Sequence, residues 1–184
     1  MSLTESCMLP LRTIAPEFHL PNTIDNKIYS LIELKGLKGS LVIFMCNHCP
    51  YVIHLIEPLI ETAKKYLTKG INTISISSNS IKTHPQDGPK EMKKFALDKN
   101  FSFPYLYDET QEIAKKYNAA CTPDFYLFDK DLKLVYRGRY DDSRPGNDKS
   151  ITGKDLHDAL DHLLINKTNN NKQYPSMGCN IKWY

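Results

Sequence analysis

With 184 residues, 41% of them hydrophobic, the chain is long enough for one domain with a substantial core. Its 24 basic and 21 acidic side chains leave a net charge of +3, and the lysines are scattered rather than clustered with aromatics, so no nucleic-acid partner is expected. No apolar run approaches the roughly 18 residues of a membrane span; Glu5 and Arg12 interrupt an N-terminus that does not read as a secretory signal, so a cytoplasmic location with reduced thiols is expected.

Residues 15–29, APEFHLPNTIDNKIY, predict two short strands around Pro21-Asn22 and Asp25-Asn26, an N-terminal β-hairpin. Residues 41–45 are a continuous apolar run, the pattern of a strand buried on both faces. From residue 50 to 69 the period becomes helical: Tyr51, Leu55, Leu59, Ala63 and Tyr66 share a face, with Val52, Ile56, Ile60 and Leu67 beside it. Pro58 should kink this helix and Gly70 end it. Residues 71–77, INTISIS, are a second strand. A helical crossover makes the two strands parallel, so their C-terminal ends share one edge of the sheet.

A polar loop then runs to Pro89, followed by helices over 90–98 and 110–117 with residues 103–107 extended between them. DFYLFD and LKLVYRGR predict a hairpin turning at Lys130-Asp131. TGKD, Thr152 to Asp155, resembles a capping box for a helix through Leu164. Residues 1–165 thus form the domain. Residues 166–184 form a tail with an Asn- and Lys-rich joint, whose apolar MGCNIKWY should dock on the domain rather than stay in water. The whole is an α/β fold with a mixed central sheet flanked by helices.

The five cysteines, Cys7, Cys46, Cys49, Cys121 and Cys179, cannot all pair within the chain, which argues for reactive or metal-ligating thiols. Cys46 and Cys49 stand three apart where the apolar strand ends and the helix begins. Unpaired N–H groups at a helix N-terminus stabilise a thiolate. Cys46 is therefore expected to be the solvent-open, low-pKa nucleophile and Cys49 the resolving thiol, with His48 adding positive charge between them. The alternative is two small buried hydrophobes. Thr122-Pro123 precedes the strand DFYLFD, where a proline is tolerated at a strand start.

APEFHL, NKIYSLIEL, GSLVIFM, CNHCPY and TPDFYLFD together resemble the thioredoxin fold in its peroxiredoxin-like branch, the redoxin and thiol-specific-antioxidant families. FMCNHCPYV, CTPDFYLFD, YRGRYDDSRPGN and PSMGCNIKW resemble a bacterial group of thioredoxin-family, peroxiredoxin-like proteins. The resemblance implies a redox-active disulfide, an antioxidant or exchange role, and a cis-proline at Pro123 lying against the pair. It also implies departures. With Cys49 at the peroxidatic position, Val42 replaces the expected proline and Cys46 the expected threonine. The remote arginine is left to Arg137 or Arg139, so weak peroxidase activity is expected. Met45 replaces the tryptophan that precedes the thioredoxin pair, and no acidic residue lies between Leu34 and Cys46 to accept a buried proton. A carboxylate from elsewhere, His48 or water must do so.

Around the same edge, Asp141, Asp142 and Arg144 are candidates to flank the substrate with Thr122, or to stabilise a turn. Asn79 and His84 lie in the loop after residue 77 and either face the substrate or are solvated. Cys7, in a terminus expected to be mobile, is given no role, and Cys121 is read as a small buried side chain. Cys179 is a candidate third thiol brought to the pair by the tail. The expected function is thiol–disulfide oxidoreduction on a protein or small-molecule thiol or disulfide, with a separate reductant and no organic cofactor or metal. The alternatives are a weak thiol peroxidase using Cys49, and a zinc or iron–sulfur module built from Cys46, Cys49, Cys121 and Cys179.

Overall fold

The structure, a computed structural model, describes residues 3–184. Strands β1 (Leu3–Glu5), β2 (His19–Pro21) and β3 (Ile28–Ser30) lead through a short helix α1 (Leu31–Leu34) to β4 (Gly39–Phe44). Helix α2 (Pro50–Leu67) and strand β5 (Ile71–Ser77) follow, then a 3-10 turn (Pro85–Asp87), α3 (Pro89–Asp98), β6 (Tyr105–Tyr107) and α4 (Glu112–Lys116). The chain closes with β7 (Cys121–Thr122), β8 (Asp124–Asp129), β9 (Leu134–Gly138), α5 (Lys154–Leu164) and β10 (Met177–Asn180). β2 and β3 form the expected hairpin, pairing His19 with Ser30.

The central sheet has the order β6-β5-β4-β8-β9. β4 runs parallel to β5 and antiparallel to β8, so Val42 lies between Ile74 and Tyr126. All six residues of β4 are buried because both sheet faces are covered. Its side chains alternate between those faces. Leu41 and Ile43 pack with Leu55, Leu59 and Ile60 of α2 and Leu156 and Leu160 of α5. Val42 and Phe44 pack on the other side with Phe18, Leu31 and Tyr117. Each such aliphatic side chain contributes about 1.5–3 kcal/mol on burial. Truncating Leu59, which is 1% exposed, to alanine costs about 2–5 kcal/mol and would loosen α2 from the sheet.

Two local expectations are corrected. Thr152 does not open a capping box. Gly153 occupies the N-cap of α5 in a left-handed conformation, φ 65°, and its side-chain-free terminus is satisfied from outside. Both the Thr152 and Gly153 N–H groups donate to the Asp141 carboxylate, each at 2.7 Å. The capping box that does form is at Ser30 and Glu33, at the start of α1. The segment expected to be mobile is also held at Leu3–Glu5, which pairs antiparallel with Met177–Cys179 in a second sheet of order β1-β10-β7. This small sheet carries residues 177–180 back to the domain, and Ile181 beyond them is fully buried in the core. None of the helices among the described residues is long and apolar enough to cross a membrane.

Candidate active site

β4 delivers Cys46 and Cys49 to the sheet edge where β4 and β5 both end. The helix starts at residue 50, as its period predicts, with Cys49 as the N-cap of α2 and Pro50 in the first turn, so Cys46 lies ahead of the helix. Cys46 to His48 form a bend ahead of it, pinned to the 85–87 turn. There the Asn47 N–H donates to Asp87 at 2.9 Å and its side-chain amide donates to the Gln86 carbonyl at 2.8 Å. Tyr105 adds a hydroxyl donor to Asn47 Oδ1 at 3.1 Å. Both sulfurs are enclosed: Cys46 is 1% exposed and Cys49 0%. The expectation of a solvent-open Cys46 is therefore corrected, because this bend, the 85–87 turn and Thr122 close over it.

The electrostatics also reverse the expected roles in the resting state. Donors converge on Cys49: first the Cys46 S–H, then the Thr122 hydroxyl, then both the S–H and the backbone N–H of Cys179. Against the cost of burial, they lower Cys49 from 9.0 to about 5. The Thr122 carbonyl, 3.1 Å from Cys49 Sγ, is placed to accept from Cys49 when it is protonated. Cys46 is pushed well up, because it gives its hydrogen bond to Cys49, is buried and faces the charge of Asp87. The two thiols titrate as a pair, and the donors around Cys49 favour the anion there. Thr122 Oγ1 lies 3.5 Å from Cys46 Sγ, so its hydroxyl serves either sulfur. The Thr122–Pro123 peptide bond is cis.

His48 does not present an isolated positive charge. Its Nδ1 lies 3.9 Å from Cys46 Sγ but 2.6 Å from Asp87, whose carboxylate offsets that charge. Asp87 is fully buried. Burial alone would raise its carboxyl, but the hydrogen bonds from His48, Asn79 and the Asn47 N–H hold it below the ordinary value. Asp87 is a carboxylate from elsewhere in the chain that lies beside the pair, and the sequence alone did not locate it. Its only sequence signal is a place in the polar loop that follows β5. Of Asn79 and His84, from the same loop, Asn79 is buried rather than solvated, whereas His84 is partly exposed. Asn79 is buried between Asp87 and the Lys182 N–H, at 2.8 and 2.9 Å, and His84 stacks on His48 with ring centres 4.9 Å apart.

Other candidates are engaged by neighbours in their own loop. Asp141 anchors the start of α5 and the Ser143 N–H, Asp142 pairs with Lys149 at 2.5 Å, and Arg144 donates to the carbonyls of Asp141 and Ser143. These three side chains build the turn after β9. Arg137 is not available to the pair: it is wholly buried against Asp124 at 3.1 Å, beneath the opposite face of the sheet with Tyr126. Arg139 pairs with Asp155 at 2.5 Å. Cys121 is buried and raised by that burial, as a small core side chain is. Among the described residues, the side chains whose donor atoms gather within 4.8 Å, close enough to share an ion, are Cys46, His48 and Asp87; the four cysteines do not gather so. The His48–Asp87 hydrogen bond already satisfies two of those three donors.

The matching family model is that of the AhpC/TSA family, over residues 11–137. The chain belongs to this family. Members of it share a thioredoxin-like redox fold, and the mixed sheet flanked by helices described above is that fold. An uncharacterized conserved protein from Geobacillus kaustophilus is 49% identical, with a TM-score of 0.98 over 100% of this chain and 97% of its own. A hypothetical protein from Sinorhizobium meliloti 1021 is 40% identical, with a TM-score of 0.95 over 98% of both chains. The thioredoxin domain of a thiol-disulfide oxidoreductase from Bacteroides vulgatus shares the fold at 19% identity, TM-score 0.59, over 71% of this chain and 89% of that one. No curated protein matches the chain.

Proposed function

We propose that this AhpC/TSA-family protein is a thiol–disulfide oxidoreductase of a reducing, cytoplasmic compartment, working through Cys46 and Cys49. The observation that carries this reading is the placement of two buried thiols at the end of β4, with the Thr122 hydroxyl 3.5 Å from Cys46 and the Thr122 carbonyl 3.1 Å from Cys49; converging donors draw Cys49 down to about 5. At neutral pH the pair is a mono-anion. Moving its one proton across the Cys46–Cys49 hydrogen bond places the thiolate on Cys46, the sulfur nearer partly exposed His48. Cys46 then attacks a disulfide substrate, and the first substrate thiol leaves. Cys49 attacks Cys46 in that mixed disulfide, forming Cys46–Cys49 and releasing the second substrate thiol. A separate dithiol reductant returns the pair to its starting state. Pro123 shapes the wall beside the pair, and His48 with Asp87 accepts or returns the proton at Cys46. The test is to incubate a Cys49→Ser variant with a disulfide-bonded protein: a mixed disulfide trapped on Cys46 is expected, and none forming would refute the assignment of Cys46.

The low thiol being Cys49 also favours a second reading, a Cys49 peroxidase. Against it stand Val42, Cys46 and the Asp124-bound Arg137 at the positions where peroxide-binding groups are wanted. Stopped-flow oxidation by hydrogen peroxide should be slow; a fast, Cys49-dependent reaction would reverse the order of the two readings.

A further inference from the structure

Strand β10 occupies a specific place. It lies antiparallel to Cys121–Thr122, the strand that runs directly into Pro123, and its register sets Cys179 opposite Thr122. Thr122 is the residue whose hydroxyl meets Cys46 and whose carbonyl meets Cys49. Cys179 is therefore brought to Cys49, and both its S–H and its N–H donate to the Cys49 sulfur. Gly178 makes this approach feasible: a Cβ there would lie 2.0 Å from the Thr122 carbonyl oxygen, so any larger residue would push the strand away.

The strand is also held firmly. Leu3–Glu5 pairs along its other edge. Beyond it the Lys182 N–H donates to Asn79, and the Lys182 carbonyl accepts from the Ser80 N–H and the Gln111 side chain. Nothing in the two-thiol cycle uses a third sulfur. The backbone N–H of any residue at this register could donate to Cys49; the cysteine side chain adds a sulfur that can itself exchange.

We propose that Cys179 is a third exchanging thiol. Its sulfur attacks Cys49 in the Cys46–Cys49 disulfide, the Cys49–Cys179 bond forms as the Cys46–Cys49 bond breaks, and Cys46 leaves with the electron pair. The proton shed by Cys179 passes to water, and the leaving Cys46 thiolate takes one back through partly exposed His48, whose Nδ1 lies 3.9 Å away. The protein stays oxidised by two electrons throughout, so the step needs no outside oxidant. This rests on the dithiol reading above and extends it: the oxidised protein is a mixture of two disulfides, one within the pair and one joining the pair to the tail strand. In the reduced protein burial and the neighbouring Cys49 anion push Cys179 up to about 12; forming the Cys46–Cys49 bond removes that anion and so frees Cys179 to ionise.

The experiment uses the full chain, oxidised with an excess of glutathione disulfide, quenched in acid, alkylated and mapped by mass spectrometry without reduction. Both Cys46–Cys49 and Cys49–Cys179 linked peptides are expected, with Cys46 alkylated in on the order of a tenth or more of the oxidised molecules, which corresponds to disulfides within about 30 mV of each other. A Cys46→Ser variant, checked for its fold by circular dichroism, should form Cys49–Cys179 alone. Cys46–Cys49 linkage with no Cys49–Cys179 in either protein would overturn the proposal and leave the dithiol reading standing. Absence of both linkages would overturn the two together. The wild-type map decides the matter even if the variant does not fold.

Discussion

Replacing Cys46 with alanine removes the first of the donors that hold the Cys49 thiolate. A hydrogen bond to a charged acceptor contributes about 1.5–3 kcal/mol. At 1.36 kcal/mol per pH unit, its loss should move Cys49 up from about 5 to roughly 6 or 7. Cys46→Ser keeps a donor at that position and should restore most of the shift. Thiolate ultraviolet absorbance against pH reads the equilibrium without requiring reagent access to a buried sulfur, and subtraction of a Cys49→Ser variant assigns the signal. The same shift has a stability consequence. A thiol whose folded pKa is depressed adds stability that is complete above its unfolded value, about 8.5, and is lost as pH falls through about 5. The reduced protein should therefore gain melting temperature between those pH values, and Cys49→Ser should not; Cys46, pushed the other way, acts only above this window. A wild-type thiolate midpoint near that of an ordinary thiol, or one unmoved by Cys46→Ala, would refute the converging-donor argument.

Three further outcomes are expected. Because the thiolate form is stabilised, the couple equilibrated with glutathione should lie above thioredoxin's value of about −270 mV; a value at or below that contradicts the electrostatics. Gly178→Ala forces a methyl into the Thr122 carbonyl, so β10 should detach, the Cys49 midpoint should rise as two donors leave, and the fluorescence of Trp183 should change; unaltered fluorescence and titration would show the strand can absorb the methyl elsewhere. Arg137→Met leaves the wholly buried Asp124 charge without its partner and should cost about 3–5 kcal/mol in urea unfolding, whereas the double replacement with Asp124→Leu should recover most of it.

The parts of this fold that were legible are those written in periodicity. The apolar run of 41–45, the two helical faces from Tyr51 to Tyr66 and the β-branched INTISIS dictate β4, α2 and β5 with their parallel pairing, and so place the cysteine pair on the sheet edge. The parts that were not legible depend on partners distant in sequence. Asp87 sits in a loop whose composition says only that it is polar; its role comes from the Asn47 N–H, the His48 ring and the Asn79 amide meeting there. Leu3–Glu5 has no strand signature of its own and is a strand because β10 offers an edge. Thr152 carries the capping-box pattern, but Asp141 reaches the same N–H groups first, and a left-handed Gly153 lets it. The assignment of the low thiol to Cys46 failed for a related reason: the pattern C-x-x-C does not say which cysteine caps the helix, or that a third one donates to the second.

The route by which β10 arrives has a consequence for biosynthesis. Cys46 and Cys49 leave the ribosome early, on a strand and helix that can fold with β5, whereas Met177–Asn180 follows nearly all of the domain. Until that strand is made and inserted between β1 and β7, Cys49 lacks two of its donors, and the edge beside Thr122 stands uncovered. A nascent chain thus carries a milder dithiol, and completion of the small sheet adds the last two donors to those that Cys46 and Thr122 supply.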